Sequence, residues 1–315
     1  MSYKVAIQMD PIAQIDVVGD TSFALGLEAQ NRGYELFYYQ PEALTLYAPD
    51  TVSAPLQPLT LRDQLTDFFT LGAPVPTDLR EMDVVLMRQD PPFDMAYISA
   101  THFLEKITDD CLVVNNPAAV RNAPEKIVPT LFEGLQPPTI MTRDRKVLED
   151  FRAEHQDIIL KPVYGNGGAG VFRVMAGDEN FGALVDMMMA ESREPLIAQH
   201  YLPQIRQGDK RVILVEGEAV GALNRVPQEG DARANVHVGG QPVADELSAR
   251  DLEIAAQIGP YLREAGIILA GIDVIGDYLT EINVTSPTCI REIKSFGGPD
   301  IAVLVWDAIE RRLKS

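Results

Sequence analysis

The sequence predicts an α/β fold with more than one domain. Apolar segments of strand length alternate with amphipathic segments of helix length from the N-terminus onward, which is typical of strands joined by crossover helices. The chain has 315 residues, enough for about two domains with separate cores. Its hydrophobic content of 46% and charged content of 23% are ordinary for a globular protein.

The N-terminal segment is predicted to form an α/β unit around a mainly parallel sheet. We expect strands at residues 4–9, 34–39, 84–87 and 112–114, and helices at residues 21–32 and 95–106. Gly33 follows the first helical segment and is suited to end it, because glycine readily adopts a left-handed conformation. Residues 40–80 are rich in proline and give a weak signal, with one amphipathic segment near residues 61–69. Residues 116–124 have the composition of a linker at a domain edge.

Two further units follow, and we expect domain boundaries at residues 1–122, 123–202 and 203–315. The central unit has predicted helices near residues 125–132, 146–155 and 179–190, and strands at residues 139–141, 158–160 and 196–198. The C-terminal unit has a predicted hairpin at residues 211–224 and helices at residues 248–264 and 301–313. Pro260 lies inside the first of these helices and is expected to bend or break it. Residues 227–242 show little periodicity and predict a long mobile loop.

The charge balance limits the partners of the chain. The net charge is −19, and only 27 residues are lysine or arginine. This argues against binding to nucleic acid and to anionic membrane surfaces, both of which need basic patches. No apolar segment has the length of a membrane span or the form of a signal peptide. The two cysteines, Cys111 and Cys289, suit a reducing compartment, so we expect a cytoplasmic protein.

Three oxygen-bearing side chains near the C-terminus are spaced to converge. Residues 271–275 and 279–284 predict two strands joined by a three-residue turn, which places Asp273 opposite Glu281. Because side chains alternate along a strand, Glu281 and Asn283 then share a face with Asp273. Two carboxylates and an amide oxygen suit Mg²⁺, which completes its coordination with water and phosphate oxygens. The alternative is a solvated sheet face that carries unrelated acids.

A glycine-rich loop at residues 165–170 matches the pattern G-x-G-x-x-G. A strand-like segment follows it, whereas the dinucleotide-binding motif requires a helix there. We therefore expect the loop to join two strands and to cover phosphate groups with its backbone. Lys161 ends the preceding strand and can reach those phosphates, as can Lys126 at the start of a predicted helix. The alternatives are a flexible surface turn and a solvated helix lysine.

The order of these parts resembles the ATP-grasp superfamily of carboxylate–amine ligases. That order is a lysine, a second lysine before a glycine-rich hairpin, a segment at a domain joint, D-K-R, and D…E-x-N. More closely, the chain is similar to the prokaryotic glutathione synthetase family. The closer similarity is carried by M-D-P at residues 9–11, M-R-Q-D-P-P-F-D at residues 87–94, I-L-K-P at residues 159–162, G-D-K-R at residues 208–211 and E-I-N-V-T-S-P-T-C-I-R-E at residues 281–292.

The resemblance implies an ATP-grasp fold with an N-terminal parallel-sheet α/β domain, a central lid domain and a C-terminal domain for metal and substrate. It also implies roles for individual residues. The ATP phosphates would be bound by Lys126, Lys161, Gly165, Asn166, Gly167, Gly168, Ala169 and Gly170. The adenine would be held by Gln199, His200, Tyr201 and Leu202, and Asp209 would bind the nucleotide beside the metal ions. Two Mg²⁺ ions, with Mn²⁺ as an alternative, would be held by Asp273, Glu281 and Asn283.

The implied reaction joins γ-glutamylcysteine to glycine through an acyl phosphate, converting ATP to ADP and phosphate and producing glutathione. Residues 227–242 would form a lid over the intermediate. Catalytic roles are implied for Arg211, Arg225, Arg233 and Asn235, and binding of the peptide carboxylates for Ser286 and Arg291. The resemblance also suggests a homotetramer. Two alternatives stay open: another ATP-grasp ligase that joins different amino acids, and an ATP-binding regulatory module without turnover.

Overall fold

The computed structural model describes residues 2–228 and 239–314, and within them the strands form three sheets. The first sheet contains β1 (Lys4–Gln8), β2 (Glu35–Tyr39), β3 (Thr45–Tyr47), β4 (Thr51–Leu61), β5 (Phe69–Leu71), β6 (Val75–Asp78), β7 (Val84–Met87) and β8 (Leu112–Val114). Its central order is β2-β1-β7-β8, and these neighbours are parallel. The predicted strands and their parallel arrangement are therefore confirmed for the centre of this sheet.

Residues 40–80, where the sequence signal is weak, form four strands that pair antiparallel. β4 pairs antiparallel with β2, β3, β5 and β6, so the sheet as a whole is mixed. The expected amphipathic segment near residues 61–69 is a turn closed by a hydrogen bond from Arg62 N to Phe68 O at 2.8 Å. Alternate residues of β4 are buried, which is the pattern of a strand with one face in the core.

Three helices pack around the first sheet: α1 (Thr21–Asn31), α2 (Met95–Glu105) and α3 (Pro117–Asn122). Each begins at a side-chain cap, from Asp20, Asp94 and Asn116 respectively, which satisfies backbone N–H groups of the first turn. The segment at residues 116–124 is therefore not a simple linker. Asn116 and Pro117 at its start are the residues that favour a helix N-terminus, and the sequence prediction overlooked that signal.

The second sheet has the order β11-β10-β12-β9 and is antiparallel throughout. Its elements are β9 (Thr139–Thr142), α4 (Arg145–His155), β10 (Ile158–Pro162), β11 (Phe172–Val174), α5 (Phe181–Glu191) and β12 (Leu196–His200). The helices cover one face and enclose a separate core that includes Leu148, Leu160 and Val185. The helix expected near residues 125–132 is reduced to a 3₁₀ turn at Val128–Leu131, since Pro129 removes a backbone donor there.

The third sheet has the order β15-β14-β13-β16-β17, again antiparallel. Its elements are β13 (Asp209–Val215), β14 (Glu218–Val226), β15 (Gln241–Ala244), α6 (Ala249–Glu264), β16 (Leu269–Ile275), β17 (Tyr278–Asn283), α7 (Ile290–Ser295) and α8 (Ile301–Leu313). The predicted loop at residues 227–242 falls mostly outside the described residues. Of the bend or break expected at Pro260, the break does not occur, because α6 runs through this residue as one helix.

The first and third sheets share a core, whereas the second sheet has its own. Val5, Ile7 and Leu25 pack in one cluster with Trp306 and Ile309 of α8. A buried amide, Asn115, reinforces the joint: its Nδ2 donates to Leu269 O at 2.7 Å and Val284 O at 2.8 Å, and its Oδ1 accepts from the N–H groups of residues 268 and 269. In the described residues, no helix combines the length and apolarity needed to cross a membrane.

The β16–β17 hairpin places the predicted acidic residues on one face, but not through the predicted turn. The turn has two residues, Gly276 and Asp277, and Tyr278 already belongs to β17. The register shifts between Asp273 and Val274, so that Thr280 is an extra residue and Asp273 pairs with Glu281. This bulge compensates for the shorter turn, and the predicted pairing is confirmed.

Candidate active site

The main cavity lies where the second and third sheets meet, and it encloses about 290 Å³. Many of the residues predicted for the site converge here from segments far apart in the chain. The predicted residues in its wall are Lys126, Lys161, Gly165, Asn166, Gly167, Gly168, Ala169, Arg211, Arg225, Glu281, Asn283 and Ser286. Such a wall, rich in buried cations and backbone amides, suits a polyanion.

The two predicted lysines are both buried in this wall, with exposed fractions of 5% for Lys126 and 6% for Lys161. Lys126 lies in the turn before the 3₁₀ segment, not at the opening of an α-helix as expected, and its Nζ donates to the carbonyl oxygen of Gly165. It also lies 3.5 Å from Glu281 Oε1. Burial acts to lower the pKa of Lys126, but Glu281 and Glu125 outweigh it and raise that pKa.

Lys161 is held differently, because its Nζ donates at 3.3 Å to a neutral group, the amide oxygen of Gln199. Burial lowers the pKa of Lys161, and the charge of Glu281 only partly opposes this. An ammonium in this environment gains from any anion that binds beside it.

The glycine loop joins β10 to β11, and these strands pair antiparallel, so the predicted hairpin is confirmed. Gly167, Gly168 and Gly170 have φ values of 61°, 80° and 70°, a left-handed region where side chains with a β-carbon are strained. A hydrogen bond from Ala169 N to Asn166 O at 3.1 Å closes the turn. The glycines therefore allow a tight loop beside the lysines.

A smaller cavity of about 90 Å³ adjoins the first and shares Lys161 and Glu281 with it. Four predicted nucleotide-binding residues of the β12 segment line this slot: Gln199, His200, Tyr201 and Leu202. Ile159, Ile205 and Ile275 supply apolar walls. An apolar slot beside a strand end suits a flat heterocycle, and it leads past Lys161 to the glycine loop.

Two arginines of the main cavity wall and two aspartates of the smaller cavity wall form a buried cluster between the two cavities. Arg211 contacts Asp273 twice, at 2.6 and 3.1 Å, and Arg225 lies 3.0 Å from Asp273 and 2.6 Å from Asp209. Burial acts to raise the pKa of Asp273, yet both guanidinium groups hold it well below its usual range. Burial raises the pKa of Asp209 despite Arg225. The cluster is neutral overall, which permits its burial.

The contacts of this cluster separate Asp273 from the other two predicted metal ligands. Glu281 and Asn283 line the main cavity, whereas Asp273 is bound by Arg211. The described residues contain no group of three or more acidic, histidine or cysteine side chains arranged around one metal position. The donors nevertheless fit a hard cation: they are oxygens, and the buried oxygen Asp209 Oδ1 lacks a hydrogen-bond partner among the described residues.

Ser286 lies in the main cavity, and its neighbour in space is a residue that sequence analysis did not single out. Ser286 Oγ donates to Arg88 O at 3.1 Å, and Arg88 Nη2 donates to Pro287 O at 3.0 Å. Arg88 is 5% exposed. The signal was available, because Arg88 is a charged residue that directly follows the buried strand β7.

Arg291 does not line the main cavity, so the structure does not bring it together with Ser286. Its Nε donates to Val18 O at 3.0 Å and its Nη2 to Asp63 Oδ1 at 2.8 Å. It points to the opposite side of α7, where it fixes the loop after β1. The remaining predicted residues, Arg233 and Asn235, lie outside the described residues.

Glu125 is a further cavity residue that the sequence analysis missed. Its Oε1 accepts from Thr285 Oγ1 at 3.2 Å. Burial raises the pKa of Glu125 to about 6, with Glu281 adding to the effect and Lys126 opposing it. A carboxyl next to a lysine already singled out was the only signal in the sequence.

Comparison with known proteins identifies the class of fold to which this architecture belongs. An ATP-grasp ligase, PsnB, in complex with a minimal precursor, Mg and ADP superposes with a TM-score of 0.63 at 18% identity, covering 99% of this chain and 98% of that one. Two models of the prokaryotic glutathione synthetase family match, the N-terminal domain at residues 3–121 and the ATP-grasp domain at residues 125–298. Fold and site therefore define an ATP-grasp carboxylate–amine ligase.

Curated relatives show to which family within this class the chain belongs. A glutathione synthetase of Brucella melitensis is 58% identical over 99% of this chain and 100% of its own length. A glutathione synthetase of Agrobacterium fabrum is 56% identical over 98% of this chain and 97% of its own length. The chain belongs to the prokaryotic glutathione synthetase family.

Proposed function

We propose that the chain joins γ-glutamylcysteine to glycine with consumption of ATP, giving glutathione, ADP and phosphate. The observation that carries this proposal is the main cavity, in which Lys126, Lys161 and Arg225 meet a glycine-rich hairpin beside Glu281. These cations suit a reaction in which two anions, a carboxylate and a triphosphate, must approach each other.

ATP binds along both cavities in this proposal. The purine occupies the apolar slot formed by Gln199, His200, Tyr201 and Leu202. The phosphates pass Lys161 and reach Lys126 under the loop at residues 165–170. This path is supported by the contact between the two cavities, because Lys161 and Glu281 belong to the walls of both.

A divalent cation accompanies the nucleotide, as is general for ATP-grasp ligases, and we propose two Mg²⁺ ions with Mn²⁺ as an alternative. Glu281 and Asn283 would hold them, with Asp273 and Asp209 behind. Such ions polarise phosphate oxygens and neutralise their charge when bound.

The protein groups act on the substrates by charge and by exclusion of water. A cysteinyl carboxylate oxygen attacks the γ-phosphorus and the bond to the ADP oxygen breaks, which forms an acyl phosphate. The glycine amine then attacks the acyl carbon, loses a proton, and phosphate leaves. Arg211 and Arg225 stabilise the added negative charge, and we propose that residues 227–242, with Arg233 and Asn235, cover the intermediate.

Further features of the molecule remain proposals. We propose domains at residues 1–122, 123–202 and 203–315, a homotetrameric assembly and a cytoplasmic location. The two buried free thiols, Cys111 and Cys289, support a reducing compartment. Light scattering on the purified chain measures the assembly directly.

The test of the function is phosphate release from Mg-ATP with γ-glutamylcysteine, with and without glycine. We expect release that requires both substrates, with glutathione as the product. Phosphate release at the same rate with and without glycine would indicate another ligase. ATP binding without release would indicate a regulatory module.

A further inference from the structure

Two aromatic rings meet where the segment after β7 reaches the segment before the glycine loop. Phe93 lies between β7 and α2, and Tyr164 lies between β10 and the loop at residues 165–170. Their ring centroids are 6.2 Å apart and their planes are inclined by 26°, which is a stacked arrangement. Aromatic pairs at this separation attract each other beyond the effect of the area that they bury. The contact therefore ties a segment of the first sheet to the loop of the second sheet.

Phe93 is the firmly held partner of this pair. Its ring contacts that of Tyr97 in α2, with centroids 5.2 Å apart. Phe93 also packs against the core cluster that contains residues of both the first and the third sheet, and the buried Tyr97 belongs to that cluster. Tyr164, by contrast, is 39% exposed. A fixed ring on one side and a half-exposed ring on the other suggest that Phe93 sets the position of Tyr164.

A small cavity of about 10 Å³ lies beside the two rings. Its walls come from the connection after α3, from the segment after β10 and from the segment after β17: Phe93, Ala123, Pro124, Glu125, Val163, Tyr164 and Thr285. A space of this size holds no more than about one water molecule. The rings therefore close a corner at which segments of all three sheets meet.

A second contact holds the residue next to Tyr164. Gly165 O accepts a hydrogen bond from Lys126 Nζ, and a β-carbon on Gly165 would lie 2.5 Å from Pro162 Cγ. In the proposed function Lys126 also binds a phosphate, so its ammonium is shared with the ligand. Phe93 and Tyr164 lie outside the walls of both nucleotide cavities. The ring contact is therefore a hold on the loop for which ATP does not compete.

We propose that the stack of Phe93 on Tyr164 positions the glycine loop over the ATP phosphates, so that both are positioning residues. This inference rests on the proposed function for the identity of the ligand. A loop that is already in place when the nucleotide arrives loses less conformational freedom on binding, which strengthens binding. The contact holds the loop alike before and during the reaction, so it acts on the affinity for ATP and not on kcat.

The test measures the binding of AMPPNP with Mg²⁺ by calorimetry, together with the KM for ATP. Tyr164→Ala should weaken both about three- to tenfold and leave kcat and the KM for γ-glutamylcysteine within about twofold. Phe93→Leu, which keeps an apolar side chain against Tyr97, should act in the same direction. The double variant should be no more than about twofold weaker than Tyr164→Ala, because the two rings act as one pair. Tyr164→Phe keeps the ring and should bind as the unaltered chain does.

Phe172→Ala is the matched control. Phe172 follows the same loop and is 38% exposed, close to the value for Tyr164. Because side chains alternate along a strand, Phe172 shares a face of β11 with Val174, which belongs to the separate core of the second sheet. This variant should leave the affinity for AMPPNP within about twofold. Melting temperatures check that every variant is folded.

Three results would overturn the inference: unchanged nucleotide affinity in Tyr164→Ala, losses that multiply in the double variant, or a loss in Tyr164→Phe as large as that in Tyr164→Ala. Calorimetric binding needs no turnover. A chain that binds AMPPNP but forms no glutathione therefore overturns the proposed function, and the affinities of the variants then decide the inference independently.

Discussion

Lys161 illustrates at the scale of one residue how the site is prepared for a polyanion. Its ammonium is buried, its pKa is lowered by that burial, and its Nζ contacts a neutral amide oxygen at 3.3 Å. A buried charge without a strong counter-charge destabilises the folded chain until an anion binds. Under the proposed function, Lys161 is placed to bind an ATP phosphate rather than to stabilise the fold.

Replacing Lys161 by Met separates the effect of this residue on stability from its effect on ATP binding. Without nucleotide, we expect the melting temperature to stay equal or rise, because an apolar side chain replaces a buried charge. The affinity for ATP should fall about tenfold or more, and the stabilisation by Mg-ATP should shrink with it. Thermal melts with and without Mg-ATP measure both, with Lys146→Met, an exposed lysine of α4, as the control. Undiminished stabilisation by Mg-ATP in Lys161→Met would refute this role.

Glu281 is one of the carboxylates that line the main cavity. Glu281→Gln should lower kcat at least about a hundredfold, because the amide cannot neutralise a cation at the phosphates, while ATP affinity changes less than about tenfold. Steady-state kinetics and nucleotide binding measure the two quantities. Asp277→Asn, exposed in the turn of the same hairpin, is the matched control. Normal turnover in Glu281→Gln would remove the metal assignment.

Glu125 should give the stability of the metal-free, nucleotide-free chain a pH dependence. Its folded pKa of about 6 lies above the ordinary 4.5, so the folded chain binds this proton more tightly than the unfolded chain. The resulting stabilisation is complete below about pH 4.5 and is lost as the pH rises through about 6, on the order of 1–2 kcal/mol.

The variant Glu125→Gln tests that pH dependence. Relative to the unaltered chain, it should gain about 1–2 kcal/mol of stability at pH 7.5 and much less at pH 5.0. Denaturant unfolding at the two pH values measures the gain, with Glu133→Gln, an exposed glutamate nearby, as the control. A gain of the same size at both values would show that burial does not perturb this carboxyl.

At the scale of elements, α6 rests directly on the turn between β13 and β14. A β-carbon on Gly217 would lie 2.5 Å from Gly259 O and 2.6 Å from Gly259 Cα, so two backbones are in contact. Glycine at residue 259 is required by this approach, and the helix continues through Pro260 beside it.

Gly259→Ala should therefore destabilise the chain by about 2–4 kcal/mol, since backbone on the opposing turn cannot move aside easily. Gly182→Ala in α5 is the matched control, because its β-carbon would meet only the flexible end of Arg145. That control should be neutral or stabilising by up to about 1 kcal/mol. Denaturant unfolding of both variants measures the difference; equal effects would contradict the close packing.

The elements also show what the sequence could and could not predict. The alternation of apolar residues in β4 is readable in the sequence, but Pro55 and Pro58 argue against a strand. Each proline lies in a short stretch of pairing, with three residue pairs to β2 and four to β6. The Asp273–Glu281 pairing was predictable from alternation, whereas the bulge at Thr280 was not. Arg88 and Glu125 were missed because their roles depend on contacts between distant segments.

At the scale of the whole molecule, the first and third sheets form one body and the second sheet another. The first two share core clusters, whereas the second sheet encloses its own. The two cavities of the proposed nucleotide site have walls from both bodies.

The most direct test of the account follows an oxygen atom. γ-Glutamylcysteine with ¹⁸O in its cysteinyl carboxylate is incubated with Mg-ATP, glycine and the purified chain, and the phosphate is examined by mass spectrometry. The account predicts one ¹⁸O in each phosphate released, together with glutathione, because the carboxylate oxygen attacks the γ-phosphorus and leaves with it. Unlabelled phosphate in the presence of glutathione formation would contradict the acyl phosphate and the site built around it.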